Sequence, residues 1–234
     1  FMDFGGLEYQ EGIEVVRGDI TDSESVVEAV KGVASVLHLA ALLPPNSEQD
    51  REKTFAVNVD GTKNIADAVK RVAPEAIVVF TSSISTYGDT SRENDPVTVD
   101  HSQSAIDIYA DSKIHGERAI KESEVKSIIL RIGSIAVPAF LAPPEPWPFT
   151  AEQRVEMVHR DDVADALFAS ANSQESVGKV FNIAGGSSWR LNGKDYVEDF
   201  FNFMGAPIDL AVYRESTGWN DWYDTEESQS ILGY

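Results

Sequence analysis

Between Ile13 and Gly186 the chain alternates short runs of β-branched residues with longer amphipathic stretches, and no other feature restricts its fold as much. A strand buried on both faces of a parallel sheet reads as a short apolar run. The return to the next parallel strand takes a dozen or more residues, usually a helix packed on the sheet. Strands are therefore expected over Ile13–Asp19 (IEVVRGD), Ala34–Ala41, Glu75–Ser83 (EAIVVFTSS) and Lys126–Gly133, with later ones inside Val155–Asn172 and Gly178–Gly186. Helices are expected over Ser23–Gly32, where Thr21, Asp22 and Ser23 offer N-caps and Gly32 a stop, over Glu52–Val72 and over Tyr109–Glu122. The sum is an α/β fold with a doubly wound parallel sheet.

From Ala136 to Phe149 the pattern breaks into AVPAFLAPPEPWPF, too rich in proline for a helix or an interior strand, and it reads as a loop crossing a surface or cleft. The tail, with Trp219, Trp222 and Tyr223, reads as part of a small C-terminal lobe. The expected division is residues 1–135 for the dinucleotide side and 136–234 for the substrate side, with 156–184 returning to the main sheet. One unit is missing from the pattern. Nucleotide-binding sheets of this kind open with a strand, a glycine-rich turn and a helix N-terminus, and here no G-x-G-x-x-G precedes the first strand. Gly5 and Gly6 neither follow a strand nor open a helix, so the first βαβ unit is expected to lie outside this sequence.

Composition narrows the function. With 39 acidic against 19 basic residues the formal charge is −20, which argues against nucleic acid or an anionic membrane as partner. Cysteine is absent and the four histidines (His38, His101, His115, His159) are scattered, so neither disulfides nor a metal site is expected. No run approaches a membrane span, and the start has no signal-peptide pattern; the expected location is the cytoplasm.

Tyr109 and Lys113 stand four residues apart at the start of an expected helix, hence on one face and within reach of each other. An ordinary phenol, with a pKa of about 10, is a poor base at neutral pH, and an ammonium beside it favours the phenolate. Such a pair can exchange a proton with an alcohol or a ketone. The run FTSSISTYG ends a strand, at the edge where open α/β sheets bind ligands.

Taken in order, RGDITD, VLHLAA, NVDGTKNI, FTSSISTYGD, YADSK, LRIGSIAVP, VHRDDVADAL and VFNIAGG resemble the extended short-chain dehydrogenase/reductases, the family of nucleotide-sugar epimerases and dehydratases. The resemblance implies a Rossmann-type fold, NAD or NADP as cofactor with NAD favoured, and hydride chemistry on an alcohol/ketone carbon, with a nucleotide sugar as the expected substrate. Alternatives are a reductase of a non-sugar carbonyl, steroid or flavonoid, and a catalytically silent dinucleotide-binding regulator. By the same resemblance Ser83, four residues before Tyr87, joins Tyr109 and Lys113 in catalysis, and Lys113 also holds the nicotinamide ribose. Asp19 and Ile20 flank the adenine, with helix capping as the other role for Asp19; Leu39, Ala40 and Ala41 line the ribose and phosphates. Asn58 braces the strand ends, and His38 is a buried strand-end residue. Ser134 stands where relatives often carry a substrate-touching asparagine. Arg160, ahead of Arg190 and Arg214, is the candidate for a substrate diphosphate. A homodimer through the helices that carry NVDGTKNI and YADSK is expected.

In the dehydratases of that family an Asp-Glu pair directly follows the catalytic hydroxyl residue, whereas here Ile84 and Ser85 follow Ser83. Neither exchanges a proton at neutral pH, and loss of water across two sugar carbons needs an additional acid/base pair. Incubation with NAD and nucleotide hexoses should give no product lighter by one water in mass spectrometry; a 4-keto-6-deoxy sugar would overturn this expectation.

Overall fold

The structure, a computed structural model, describes residues 9–137 and 142–234. Helix α1 (Ser23–Ala29) leads to strand β1 (Ser35–His38). There follow α2 (Arg51–Phe55), a π-helical turn over Ala56–Asp60, and α3 (Gly61–Val72). Then come β2 (Ile77–Ser83), α4 (Ile108–Ser123), β3 (Ser127–Ile132) and the short β4 (Ser134–Ile135). The remainder is β5 (Arg154–Val158), α5 (Arg160–Asn172), β6 (Val180–Ile183), β7 (Arg190–Asn192), α6 (Gly193–Met204) and α7 (Glu226–Leu232). The main sheet runs β1-β2-β3-β6 with every pairing parallel. A second sheet joins β4 and β5 in parallel and β5 and β7 antiparallel.

Alternation along each strand divides the core. Val78 and Phe80 of β2 and Ile129 of β3 face Val26 of α1, Ile65 and Val69 of α3 and Ile120 of α4. Ile77, Val79, Ile128 and Leu130 face the other way, onto Val163 and Ala166 of α5 and Leu232 of α7. Such two-sided burial is what makes parallel strands read as unbroken apolar runs. Trp147 and Phe149, from the proline-rich stretch, are fully buried against Tyr196 and Phe200 of α6. Residues 138–141 of that stretch lie outside the described residues. The tail is shared between the lobe and the sheet: Tyr223 packs with Ile84, Tyr87 and Val97, and stacks on Tyr87 at 6.2 Å between ring centroids.

Two expectations are corrected. Residues 13–19 form no strand; Ile13 and Val16 are largely exposed, and β1 pairs only with β2. β-branched composition favours an extended chain, but a strand exists only where a neighbour completes its ladder, and no described residue does so here. The helix expected to run unbroken over 52–72 is interrupted by the π turn, which turns the buried Asn58 inward. There its amide accepts from Leu42 N (2.7 Å) and donates to Ser112 Oγ (2.9 Å), joining the loop after β1 to α4. α4 can lie this close because residue 116 is glycine: a Cβ there would sit 2.7 Å from Phe80 Cζ.

Beneath the carboxyl end of β2 lies a buried polar network. Arg131 of β3 donates from Nε and Nη2 to the two oxygens of Glu117 on α4 (2.9 and 2.8 Å), and both side chains are almost wholly buried. Ser82 donates to Glu117 Oε1 (2.6 Å); Arg131 Nη1 donates to Tyr87 Oη (2.8 Å), which donates to Asn182 of β6 (2.6 Å). The guanidinium and its hydrogen bonds hold Glu117 below the usual carboxylate range against the opposing effect of burial. Breaking one side of such a pair leaves an uncompensated buried charge, worth about 3–5 kcal/mol. Arg131→Met should therefore lower the free energy of urea unfolding by about that amount, and Arg131→Met with Glu117→Leu by less than the two single changes combined. Additive losses would refute the coupling.

Candidate active site

β2 ends at Ser83, where the chain turns into a single helical turn, Ile84–Tyr87. Ser83 Oγ accepts from Ser85 N (3.1 Å) and Ser85 Oγ (3.0 Å), which leaves its own proton to give. The Ser83 side chain lies near the phenol of Tyr109, in the first turn of α4, close enough to favour the phenolate. Lys113, one turn further on, is buried; its ammonium donates to Thr81 O (2.7 Å) and stands 5.7 Å from the centroid of the Tyr109 ring and 5.1 Å from that of Phe80. The three residues singled out for catalysis are thus brought together at the carboxyl end of the sheet.

Their charge states differ from the simplest expectation. Burial pushes the Tyr109 phenol up to about 12, with the neighbouring Ser83 hydroxyl opposing and the Asp107 charge adding to the rise. Lys113 does not bring the phenol down. Burial also lowers Lys113, to about 8, against the attraction of Glu117 one turn away. At neutral pH the array is a protonated phenol beside a weakly held ammonium, hence a proton donor. His38 Nε2 lies 2.8 Å from Thr62 Oγ1, and burial, with Lys113 second, lowers it to about 3, so it stays neutral.

A residue outside the sequence reading enters here. Glu48 receives the backbone N–H groups of Ile108 on Oε2 (2.9 Å) and of Tyr109 on Oε1 (3.0 Å). Sixty residues apart on an exposed turn, the two ends carry no pattern that would have revealed the contact.

Asp19 accepts from Thr21 N (2.9 Å) and Thr21 Oγ1 (2.8 Å), while Asp22 caps α1. Asp19 and Ile20 line a cavity of about 330 Å³ whose other walls include Val26, Val36 and Ile65. Leu39 and Ala40 lie exposed just past β1, with Ala41 partly covered. Ser134 is turned to Asn220, donating to its Oδ1 (2.6 Å). Arg160 is exposed at the start of α5 and paired with Asp161; no hydrogen bond joins it to Ser83, Tyr109 or Ser134 among the described residues. Arg190 is engaged by Glu156 and Tyr223 O. Arg214 lies over Trp219, 6.0 Å from its ring centroid, close enough to Asp107 to favour its carboxylate.

These residues fit one end of a dinucleotide. The Lys113 ammonium has three N–H groups and spends one on Thr81 O, leaving donors for ribose hydroxyls. The apolar cavity beside Asp19 accepts a planar base. Among the described residues, no strand passes through a glycine-rich turn into a helix that would receive the pyrophosphate.

The parallel sheet, its helical layers and a serine–tyrosine–lysine cluster at its carboxyl edge define a Rossmann-type chain of the extended short-chain dehydrogenase/reductase class. Within that class it belongs to the 3-beta hydroxysteroid dehydrogenase/isomerase family, whose model matches residues 7–134, more than half of the chain. It is 29% identical over 113 residues to a 3 beta-hydroxysteroid dehydrogenase/Delta 5-->4-isomerase of Mycobacterium tuberculosis, covering 46% of this chain and 30% of that protein. It is 29% identical over 103 residues to the human sterol-4-alpha-carboxylate 3-dehydrogenase, decarboxylating, covering 44% and 27%. The match thus spans about a third or less of the length of these curated relatives. Solved structures of similar fold include MoeE5 in complex with UDP-glucuronic acid and NAD (TM-score 0.76, 23% identity, 94% of this chain and 79% of that one). Another is DesIV, a dTDP-glucose 4,6-dehydratase from Streptomyces venezuelae (TM-score 0.82, 19% identity, 98% and 76%).

An ammonium lowered from 10.5 to about 8 is testable directly. The folded chain sheds this proton while the unfolded chain still holds it, so between about pH 8 and 10.5 this group adds stability as pH rises. NMR of side-chain-labelled lysines, assigned with Lys113→Met, should show one signal titrating near 8; a Lys113 signal that stays charged above pH 10 would refute the assignment.

Proposed function

We propose that the chain carries the catalytic centre of an NAD(P)-dependent oxidoreductase or epimerase acting on an alcohol/ketone carbon, with Ser83, Tyr109 and Lys113 as its working residues. The observation that carries this reading is the Lys113 ammonium held over the Tyr109 ring, with Ser83 beside the same phenol at the end of β2. A nicotinamide, when bound, supplies or accepts the hydride. Residues 1–135 serve as the dinucleotide side and 136–234 as the substrate side.

In reduction, the substrate oxygen accepts hydrogen bonds from Ser83 Oγ and Tyr109 Oη. The phenol, protonated up to about pH 12, gives its proton as negative charge grows on that oxygen. Lys113 stabilises the phenolate left behind and turns its two unspent N–H groups to ribose hydroxyls. In oxidation the phenolate removes the alcohol proton, stabilised by the Lys113 ammonium, which would also hold the ribose of a bound nicotinamide.

For the substrate we infer a secondary alcohol on a ring. Membership of the hydroxysteroid dehydrogenase family supports an apolar, steroid-like ring. So does the engagement of Ser134 by Asn220 and of Arg190 by Glu156, which occupies polar groups that a sugar diphosphate would need. Arg214, whose guanidinium makes no hydrogen bond or ion pair among the described residues, is what favours the second reading, a nucleotide sugar. Assays with NAD and NADP against 3β-hydroxysteroids and UDP- or dTDP-hexoses distinguish the two.

Tyr109→Phe should preserve the fold and lower turnover by ~10²–10⁴-fold, as expected for loss of a general acid/base. Turnover within twofold of the parent protein would remove Tyr109 from the mechanism.

A further inference from the structure

Helix α4 presents its catalytic tyrosine from the first turn, where four backbone N–H groups have no partner within the helix. Those of Ile108, Tyr109 and Ala110 are satisfied here by carboxylates of two separate segments. Ile108 and Tyr109 donate to the two oxygens of Glu48, Ala110 donates to Asp107 Oδ1 (2.7 Å), and Asp111 donates to Asp107 O (3.2 Å). Asp107 is the ordinary N-cap. Glu48 is not: it reaches the helix from the turn Asn46–Glu48, and both of its oxygens are used.

That turn is itself fixed. The buried Ser47 donates to Glu48 Oε1 (2.8 Å), the same oxygen that receives Tyr109 N. The buried Thr54 of α2 donates to Ser47 O (2.9 Å). A chain of hydrogen bonds therefore runs from α2 through Ser47 and Glu48 to the backbone of Tyr109.

We propose that Glu48 is a positioning residue for Tyr109, fixing the first turn of α4 so that the phenol meets Ser83. Its role in turnover rests on the reading of Tyr109 as the proton-transfer residue; its role in position does not. Other charged groups face the same helix end: Asp107 and Asp111 on α4, Arg51 of α2, Lys113 one turn further on, and Arg214 from the tail. Two carboxylates crowded together raise Asp107, through burial first and the Glu48 charge after the opposing Ala110 bond, and Asp107 in turn raises Tyr109. A positive helix end would otherwise favour the phenolate. The Asp107 charge opposes it.

Two substitutions weaken the contact. Glu48→Gln keeps the length but offers one acceptor and no charge. Glu48→Asp keeps the charge but is too short to reach both N–H groups. The Ile108 and Tyr109 amides should exchange about tenfold faster in both variants. With substrate, Glu48→Gln should lower kcat by ~10-fold at a KM within about twofold, the pattern of a misplaced proton donor. Unchanged amide exchange in Glu48→Gln would overturn the proposal. A fully active Tyr109→Phe would overturn the reading of the site while leaving the exchange to decide the role of Glu48.

Discussion

The bidentate pair of Glu117 and Arg131 is the contact on which the site depends. It sits on the face of α4 that carries Tyr109 and Lys113, eight and four residues earlier, and it fastens that face to β3 beneath the end of β2. Through Ser82 it holds the residue next to Ser83, and through Tyr87 and Asn182 it reaches β6. Helix, catalytic strand end and far strand are therefore in register because one buried ion pair has its hydrogen-bonding capacity met from all three. A buried pair of this kind is poor value as stabilisation and good value as specification, since few other arrangements satisfy every lone pair and proton at once.

Electrostatics at the site follow from the same burial. The ammonium of Lys113 and the phenol of Tyr109 are both pushed toward their neutral forms, Lys113 down and Tyr109 up, so that at neutral pH Lys113 stays an ammonium but Tyr109 is not the phenolate that spacing alone suggested. Desolvation outweighs the attraction between the two groups because Lys113 directs its ammonium to Thr81 O, with the flat of the Tyr109 ring rather than its oxygen nearby. The Asp107 charge at the helix end acts on the phenol in the same direction as burial. The resting centre is a proton donor.

Much of this was legible from residues alone. The strands over 77–83, 127–132 and 180–183 carry enough β-branched and apolar residues to be recognised, and the helices that follow carry caps and amphipathic spacing. Tyr109 and Lys113 were singled out by their helical spacing and Ser83 by the resemblance of the run that ends β2, and the fold brings the three to one strand end. Asn58 was read as a brace and braces Leu42 and Ser112. The segment 13–19 failed because a strand is a property of two neighbours, and composition describes only one. The π turn failed because its cause is the tertiary demand that Asn58 face α4, which no local propensity encodes.

The sequence by itself determined the layer order of the fold, the identity of the chemistry-bearing groups and which edge of the sheet they occupy, because periodicity and chain connectivity are local quantities that constrain topology strongly. Tertiary structure alone decided the rest. Glu48 holds a helix sixty residues away; Ser134 is turned to Asn220 rather than left open; and the phenol is held protonated rather than ionised. Each depends on what surrounds a side chain in space, and both the desolvation of a charge and the capture of a backbone N–H are fixed by neighbours that sequence distance does not reveal.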